Sequence, residues 1–186
     1  MPLKQLYTFI LLFLLYACAE IPQKPAYELL GGRADSKVFL ACNLWFTETK
    51  LIPVENYPKG RLLNVGTEIK IISYNEKEIK FSNIYGSVFT IIYKKERTMM
   101  PVEKYINLIF SLTNPLESID ENSRKAILMG EIKQDMKKEE IFMALGPPIM
   151  TRTPNWQENN TWTYWADIDK YKKLVFKENK LLEIIK

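Results

Sequence analysis

Histidine is missing from the 186-residue chain, and cysteine occurs only twice, as Cys18 and Cys42. The first absence removes the commonest general base and the commonest zinc ligand. Together the two shortages exclude a Ser-His-Asp triad, a Cys-His nucleophile and the usual zinc sites from this chain acting alone. Glycine is scarce as well, and Gly31-Gly32 and Gly60 stand as isolated turn signals without the spacing that cradles a phosphate. Carboxylate chemistry needs none of these residues. The acids, however, fall in mixed-charge runs such as Lys138-Glu139-Glu140 and Asp167-Ile168-Asp169-Lys170, the pattern of a solvated surface. No enzymatic activity, metal or cofactor is therefore expected. An excess of one charge sign is lacking too: 26 Lys and Arg against 22 Asp and Glu give +4. The cations are spread along the chain with acids close by, so there is no basic footprint for nucleic acid.

Long apolar runs are absent apart from Leu6 to Ala17, which is interrupted by Thr8 and preceded by Lys4. Twelve residues fall short of the roughly 20 that span a bilayer as a helix and match the core of a signal peptide. The run ends in Leu15-Tyr16-Ala17-Cys18, which resembles the lipobox of bacterial lipoproteins. That resemblance implies cleavage after Ala17 and a diacylglycerol on the Cys18 thiol. Ala19, in place of aspartate, resembles lipoproteins sent to the outer membrane. Residues 1–17 are thus expected to be a lipoprotein signal peptide, with Cys18 holding the rest at the periplasmic face of the outer membrane. An ordinary secretory signal cut near Ala17 or Ala19 is the competing reading, with a Cys18–Cys42 disulfide as its corollary. If Cys18 is lipidated, Cys42 has no partner in the chain, and its apolar setting between Val38 and Phe46 makes it a small core residue.

Pro22, Pro25, Gly31 and Gly32 mark residues 18–35 as a tether. Residues 36–98 are strand-rich at 38–46, 67–72, 78–81 and 87–93; Ile69 and Ile71, like Ile79 and Phe81, alternate with charged residues, and Asn75-Glu76-Lys77 and Tyr85-Gly86-Ser87 supply reversals. So many short antiparallel strands bury one face by curling, which predicts a half-open β-barrel. Residues 99–125 form a helix and connector, in which Val102, Tyr105, Ile106, Ile109 and Phe110 keep helical spacing after Pro101. Asn114-Pro115 is expected to end that helix. In 126–186 a short helix around Ala126, Ile127 and Leu128 precedes a second helix carrying Ile141, Ala144 and Leu145. Asp135 is its expected cap, and Gly146-Pro147-Pro148 stops it. A three-stranded meander follows, with Trp162, Tyr164 and Ala166 toward the helices and Trp165 on the other face. The whole reads as two small units, one β and one α+β.

Several of these residues carry a family resemblance. Gly130-Glu131-Ile132, Asp135 to Ile141, Ala144-Leu145-Gly146-Pro147-Pro148, the Trp162 and Tyr164 pair, and Phe176 followed by Asn179-Lys180-Leu181 resemble the SmpA/OmlA (BamE-like) family of small outer-membrane lipoproteins. The resemblance covers about residues 127–186. It implies an αα-βββ two-layer domain and a non-catalytic role in envelope assembly or integrity through protein contacts. Val65-Gly66-Thr67-Glu68 leading into a strand gives the N-terminal unit a weaker resemblance to bacterial SH3-like modules.

Large aromatics are the remaining resource, since Trp and Tyr anchor interfaces. Trp156 lies in the polar stretch Asn155 to Asn160, near Arg152, and Trp165 faces away from the expected core. Arg152, Trp156 and Trp165 are the candidate residues for docking another envelope protein. For Trp156 the alternative is folding back onto its own unit, and for Trp165 a second packing layer against the other unit. A second class of function, binding of cell-wall polymer or carbohydrate, would use Trp45, Tyr57 and Tyr85.

Overall fold

The computed structural model describes residues 24–186; the signal segment and Cys18 lie outside them. Among the described residues, eight strands and three α-helices build the N-terminal unit. Strands β1 (Val38–Leu40), β3 (Leu51–Pro53), β5 (Glu68–Tyr74), β6 (Glu78–Asn83), β7 (Val88–Ile92) and β8 (Phe110–Ser111) form a curled mixed sheet in the order β3-β7-β6-β5-β1-β8. Strands β2 (Leu44–Phe46) and β4 (Arg61–Leu63) pair as a separate ribbon. Both expected reversals form. The Asn75 and Asn83 side chains each accept two backbone N–H groups of the turn that follows, fixing tight hairpins.

Four expectations for this unit are corrected. The stretch 38–46 is two strands, because the chain leaves one sheet for the other at Ala41–Asn43. The sheet is mixed, since β3 joins β7 in parallel after a reversal at 47–50. The described part of the expected tether is packed: α1 (Ala26–Leu29) lies on the sheet through Ala26 and Leu29, and the Tyr74 hydroxyl donates to the Lys24 carbonyl at 2.8 Å. The short α2 (Lys95–Thr98) leads into α3 (Val102–Ile109), whose Val102, Tyr105, Ile106 and Ile109 are all buried against the sheet. This helix ends at Ile109 rather than Asn114, because Phe110 and Ser111 pair with β1.

The C-terminal unit is two helices on an antiparallel meander: α4 (Glu121–Leu128), α5 (Lys138–Leu145), then β9 (Thr161–Asp167), β10 (Lys170–Lys177) and β11 (Lys180–Ile185) in the order β11-β10-β9. The first of these helices starts at Glu121, inside the expected connector, and Asp120 caps it by accepting from the Asn122 and Ser123 amides. That bonding holds the Asp120 carboxyl below its usual range. Asp135 does not cap α5; it sits in a turn at φ 67°, and the buried Glu140 carboxylate accepts from the Lys137 amide at 2.6 Å instead. Ile141 and Trp162 meet at the helix-to-sheet interface with 0% and 1% exposure. Trp162 and Tyr164 face the helices as expected, whereas Ala166 is exposed, being beyond the helices' reach at the strand's end.

The seam between the units is built on asparagine. The last carbonyls of a helix lack intrahelical partners, and α4 and α5 both direct theirs at the N-terminal unit. Fully buried Asn43 donates through Nδ2 to Ile127 O at 2.5 Å and Ala144 O at 3.0 Å, and accepts through Oδ1 from the Val65 amide at 2.8 Å. Asn56 donates to Leu145 O at 2.9 Å and Asn64 to Leu128 O at 2.6 Å. Three side chains of one unit thus cap both helices of the other. Gly146, at φ 76°, lets the chain turn away here; a Cβ on it would stand 2.7 Å from Asn56 Nδ2.

Candidate functional site

After Gly146-Pro147-Pro148 the chain runs along the free edge of β9. The Ile149 amide donates to Thr163 O, and Thr153 Oγ1 accepts from the Thr163 amide at 3.0 Å. This strap fixes Arg152 above the outer face of the meander. Its guanidinium lies 4.1 Å from the centre of the Tyr171 ring, and its Nη2 donates to Tyr171 Oη at 3.0 Å. Tyr171 meets Trp165 edge to face at 5.9 Å, and Trp165 meets Tyr57 of the N-terminal unit at 4.9 Å. Arg152, Tyr171, Trp165 and Tyr57 therefore form one continuous row across both units. Arg152 and Tyr171 are exposed and Trp165 and Tyr57 half-buried. Arg152 takes part in none of the ion pairs among the described residues.

Trp165 thus packs against the other unit while keeping an exposed edge. The space behind it is a small, partly open cavity of about 30 Å³ lined in part by Glu55, Arg97 and Pro147. Glu55 is held there by Lys94 and Arg97 at 3.6 and 3.5 Å. Desolvation, followed by the charge of Glu55, raises the pKa of the Tyr57 hydroxyl above that of a free phenol.

Trp156 has other neighbours. It stacks on Phe142 at 5.6 Å with an 8° interplanar angle, meets Trp162 edge to face at 5.0 Å, and accepts the Trp162 indole N–H on its carbonyl at 2.6 Å. It folds onto its own unit and lines an apolar groove of about 430 Å³ with Leu108, Pro115 and Met143. Arg152 and Trp156 have different neighbours, the first lying on Tyr171 and the second on Phe142 and Trp162. The three aromatics of the alternative reading are dispersed as well. Trp45 lies against Gly130, Tyr57 against Trp165, and Tyr85 projects from the β6–β7 turn with 85% of its surface exposed.

Sequence reasoning passed over Tyr171 because it sits in Lys170-Tyr171-Lys172-Lys173, which reads as a solvated strand. Its register partner Trp165 was the available signal, since the two are directly opposite across β9 and β10. Cys42 is fully buried and has no disulfide partner among the described residues; burial pushes its thiol pKa up to about 12, as expected of core rather than of a nucleophile. Among the described residues no cluster of acids and cysteine could hold a metal ion, and no helix is long and apolar enough to cross a membrane. No protein-family model, curated protein or solved structure matches this chain.

Proposed function

We propose that this is a lipid-anchored, non-enzymatic envelope protein, carried by lipidated Cys18 on the periplasmic face of the outer membrane, that works by docking another envelope protein. The observation that carries the docking reading is the row Arg152, Tyr171, Trp165 and Tyr57. Interface hot spots are rich in Trp, Tyr and Arg that are already held in their bound arrangement, because ordering such side chains on binding costs affinity. Here stacking and the β9 strap order them beforehand, and Arg152 still offers N–H donors to a partner carboxylate. The helix-helix-meander order supports the SmpA/OmlA-like reading of the C-terminal unit, and the curled sheet supports an SH3-like reading of the other. Polymer binding has less support, since Trp45, Tyr57 and Tyr85 do not converge.

A photo-crosslinking residue placed in turn at 165, 171 and 85 tests the reading in intact cells. The expected result is one shared protein adduct from the first two positions, absent at position 85 and lost when Arg152→Ala is added. Adducts that are equally frequent at 85, or enrichment of cell-wall polymer in place of protein, would reject it. The anchor is tested separately by mass spectrometry of the mature N-terminus. A diacylglycerol-bearing Cys18 is expected, and an unmodified peptide starting elsewhere would remove the lipid from the proposal.

A further inference from the structure

The two edges of the meander are treated differently. The edge of β9 is covered by the Ile149–Thr153 strap, whereas β11 is covered only at its start, where Leu181 gives its N–H to Met136 O and receives the Asp135 amide on its own carbonyl. Register shows which later groups are left. Thr163 directs both backbone groups at the strap, so the pair Thr163–Lys173 is not hydrogen-bonded and the next pair, Trp162–Leu174, is. Leu174 therefore faces β9, and its other neighbour, Ile184, turns its N–H and C=O to the free side. Among the described residues neither group of Ile184 has a partner.

The side chains around this gap are unusual for an edge. Leu182, Ile184 and Ile185 are 51%, 38% and 45% exposed. Ile185 is the register partner of Lys173, which brings Lys186 across from Lys172, and burial followed by the charge of Lys186 lowers the Lys172 pKa. A neutral strand leaves that repulsion in place, and a second copy of this chain would double it. A membrane is a poor fit, because an unpaired strand edge finds no hydrogen bonds in hydrocarbon. A strand bearing acids removes the repulsion and satisfies the backbone together.

We propose that the open end of β11, from Leu182 to Ile185, takes up an extended partner segment as a fourth strand, one with an apolar residue opposite Ile184 and carboxylates against Lys172 and Lys186. The lysines then have two effects: they keep two copies apart, a common protection of edges, and they select an acidic strand. Main-chain pairing supplies the affinity and the alternating side chains supply the choice. This surface does not depend on the aromatic row.

The test uses the full chain in mild detergent and amide hydrogen exchange at Ile184. The probe is a synthetic peptide of repeated valine-threonine-glutamate-threonine, and the control has lysine in place of glutamate. The acidic peptide is expected to slow exchange at Ile184 about tenfold or more, with the control without effect. Lys186→Glu, at an exposed position, is expected to weaken binding by about tenfold without lowering the unfolding midpoint, since it removes the repulsion of Lys172. Equal protection by the lysine peptide, or undiminished binding in Lys186→Glu, overturns the proposal. So does protection of Ile184 that appears on raising protein concentration alone, or on adding phosphatidylglycerol vesicles without peptide, since these assign the edge to a second copy or to lipid.

Discussion

Replacing Asn43 by Ala should damage this fold more than any surface change. The side chain has 0% exposure and makes three hydrogen bonds, two into helix ends of the other unit and one from the Val65 amide. Ile127 O keeps a second donor in the Gly130 amide, so its loss is partial. The Val65 N–H and Ala144 O are left buried and unpaired, at about 1–3 kcal/mol each. Allowing a little for the void, the expected cost is about 3–5 kcal/mol, a large fraction of the roughly 5–15 kcal/mol that holds a domain folded. Urea unfolding followed by tryptophan fluorescence measures it, because Trp45 and Trp162 report on opposite sides of the seam. The variant Asn43→Asp sharpens the argument. It keeps the acceptor for Val65 but aims a carboxylate oxygen at two carbonyls, which raises the folded-state pKa of the new group above its unfolded value near 3.9. The folded state then binds the proton more tightly, so stability is greatest at low pH and falls as pH rises through the two pKa values. A cost below about 1 kcal/mol for Asn43→Ala, or an Asn43→Asp variant that gains stability from pH 4 to pH 8, would refute the account of the seam.

The C-terminal core gives a second expectation: Ile141→Ala and Trp162→Ala should each cost about 2–5 kcal/mol in chemical denaturation, against about 1 kcal/mol or less for Lys138→Ala, which loses contacts over the Trp162 and Phe176 rings and an exposed hydrogen bond to Asn160 Oδ1. Gly146→Ala, forced to keep φ 76° against Asn56, should cost about 1–3 kcal/mol by the same measurement. Alkali should also unfold the protein. Burial raises the pKa values of Cys42, Tyr105 and Tyr164, so the unfolded chain loses these protons first and stability falls as pH climbs past 9, by up to about 1.4 kcal/mol per pH unit for each group. A flat unfolding midpoint between pH 8 and pH 11 would contradict that burial.

Periodicity made the helical core faces legible. Ile141 and Ala144, like Val102, Tyr105 and Ile109, repeat at helical spacing, and the reversals expected at Asn75–Lys77 and Tyr85–Ser87 both form, each on an Asn side chain. What escaped depends on partners distant in sequence. Asn43 sits inside an apolar run that reads as one strand, and nothing local reveals that its amide caps helices 84 and 101 residues away. β3 and β4 have three residues each, too few for alternation to register. Asp135 looks like a cap, but the chain turns through positive φ there and hands the role to Glu140. The site was half legible for the same reason. Arg152 and Trp165 could be named singly, whereas Tyr57 and Tyr171 join them only through the seam and the β9–β10 register.

That placement ties the aromatic row to the asparagine seam. Tyr57 follows Asn56 directly, and the strap bearing Arg152 begins at Gly146, next to the Leu145 carbonyl that Asn56 caps. The Asn56 side chain, bonded to Leu145 O and also to Asn43 O and the Trp45 amide, therefore holds the roots of both ends of the row. Removing it should cost more than stability. With Asn56→Ala the Tyr57 and Trp165 rings lose their common base, and the order of the row declines before the units unfold, because local opening needs less free energy than global unfolding. The measurement is the Tyr57–Trp165 contact itself, read as ring-to-ring nuclear Overhauser effects in urea well below the unfolding midpoint. Loss of those effects while the Trp162 signals stay native supports the linkage. Their persistence up to global unfolding would show that the row is held by its own stacking, with the seam contributing nothing to it.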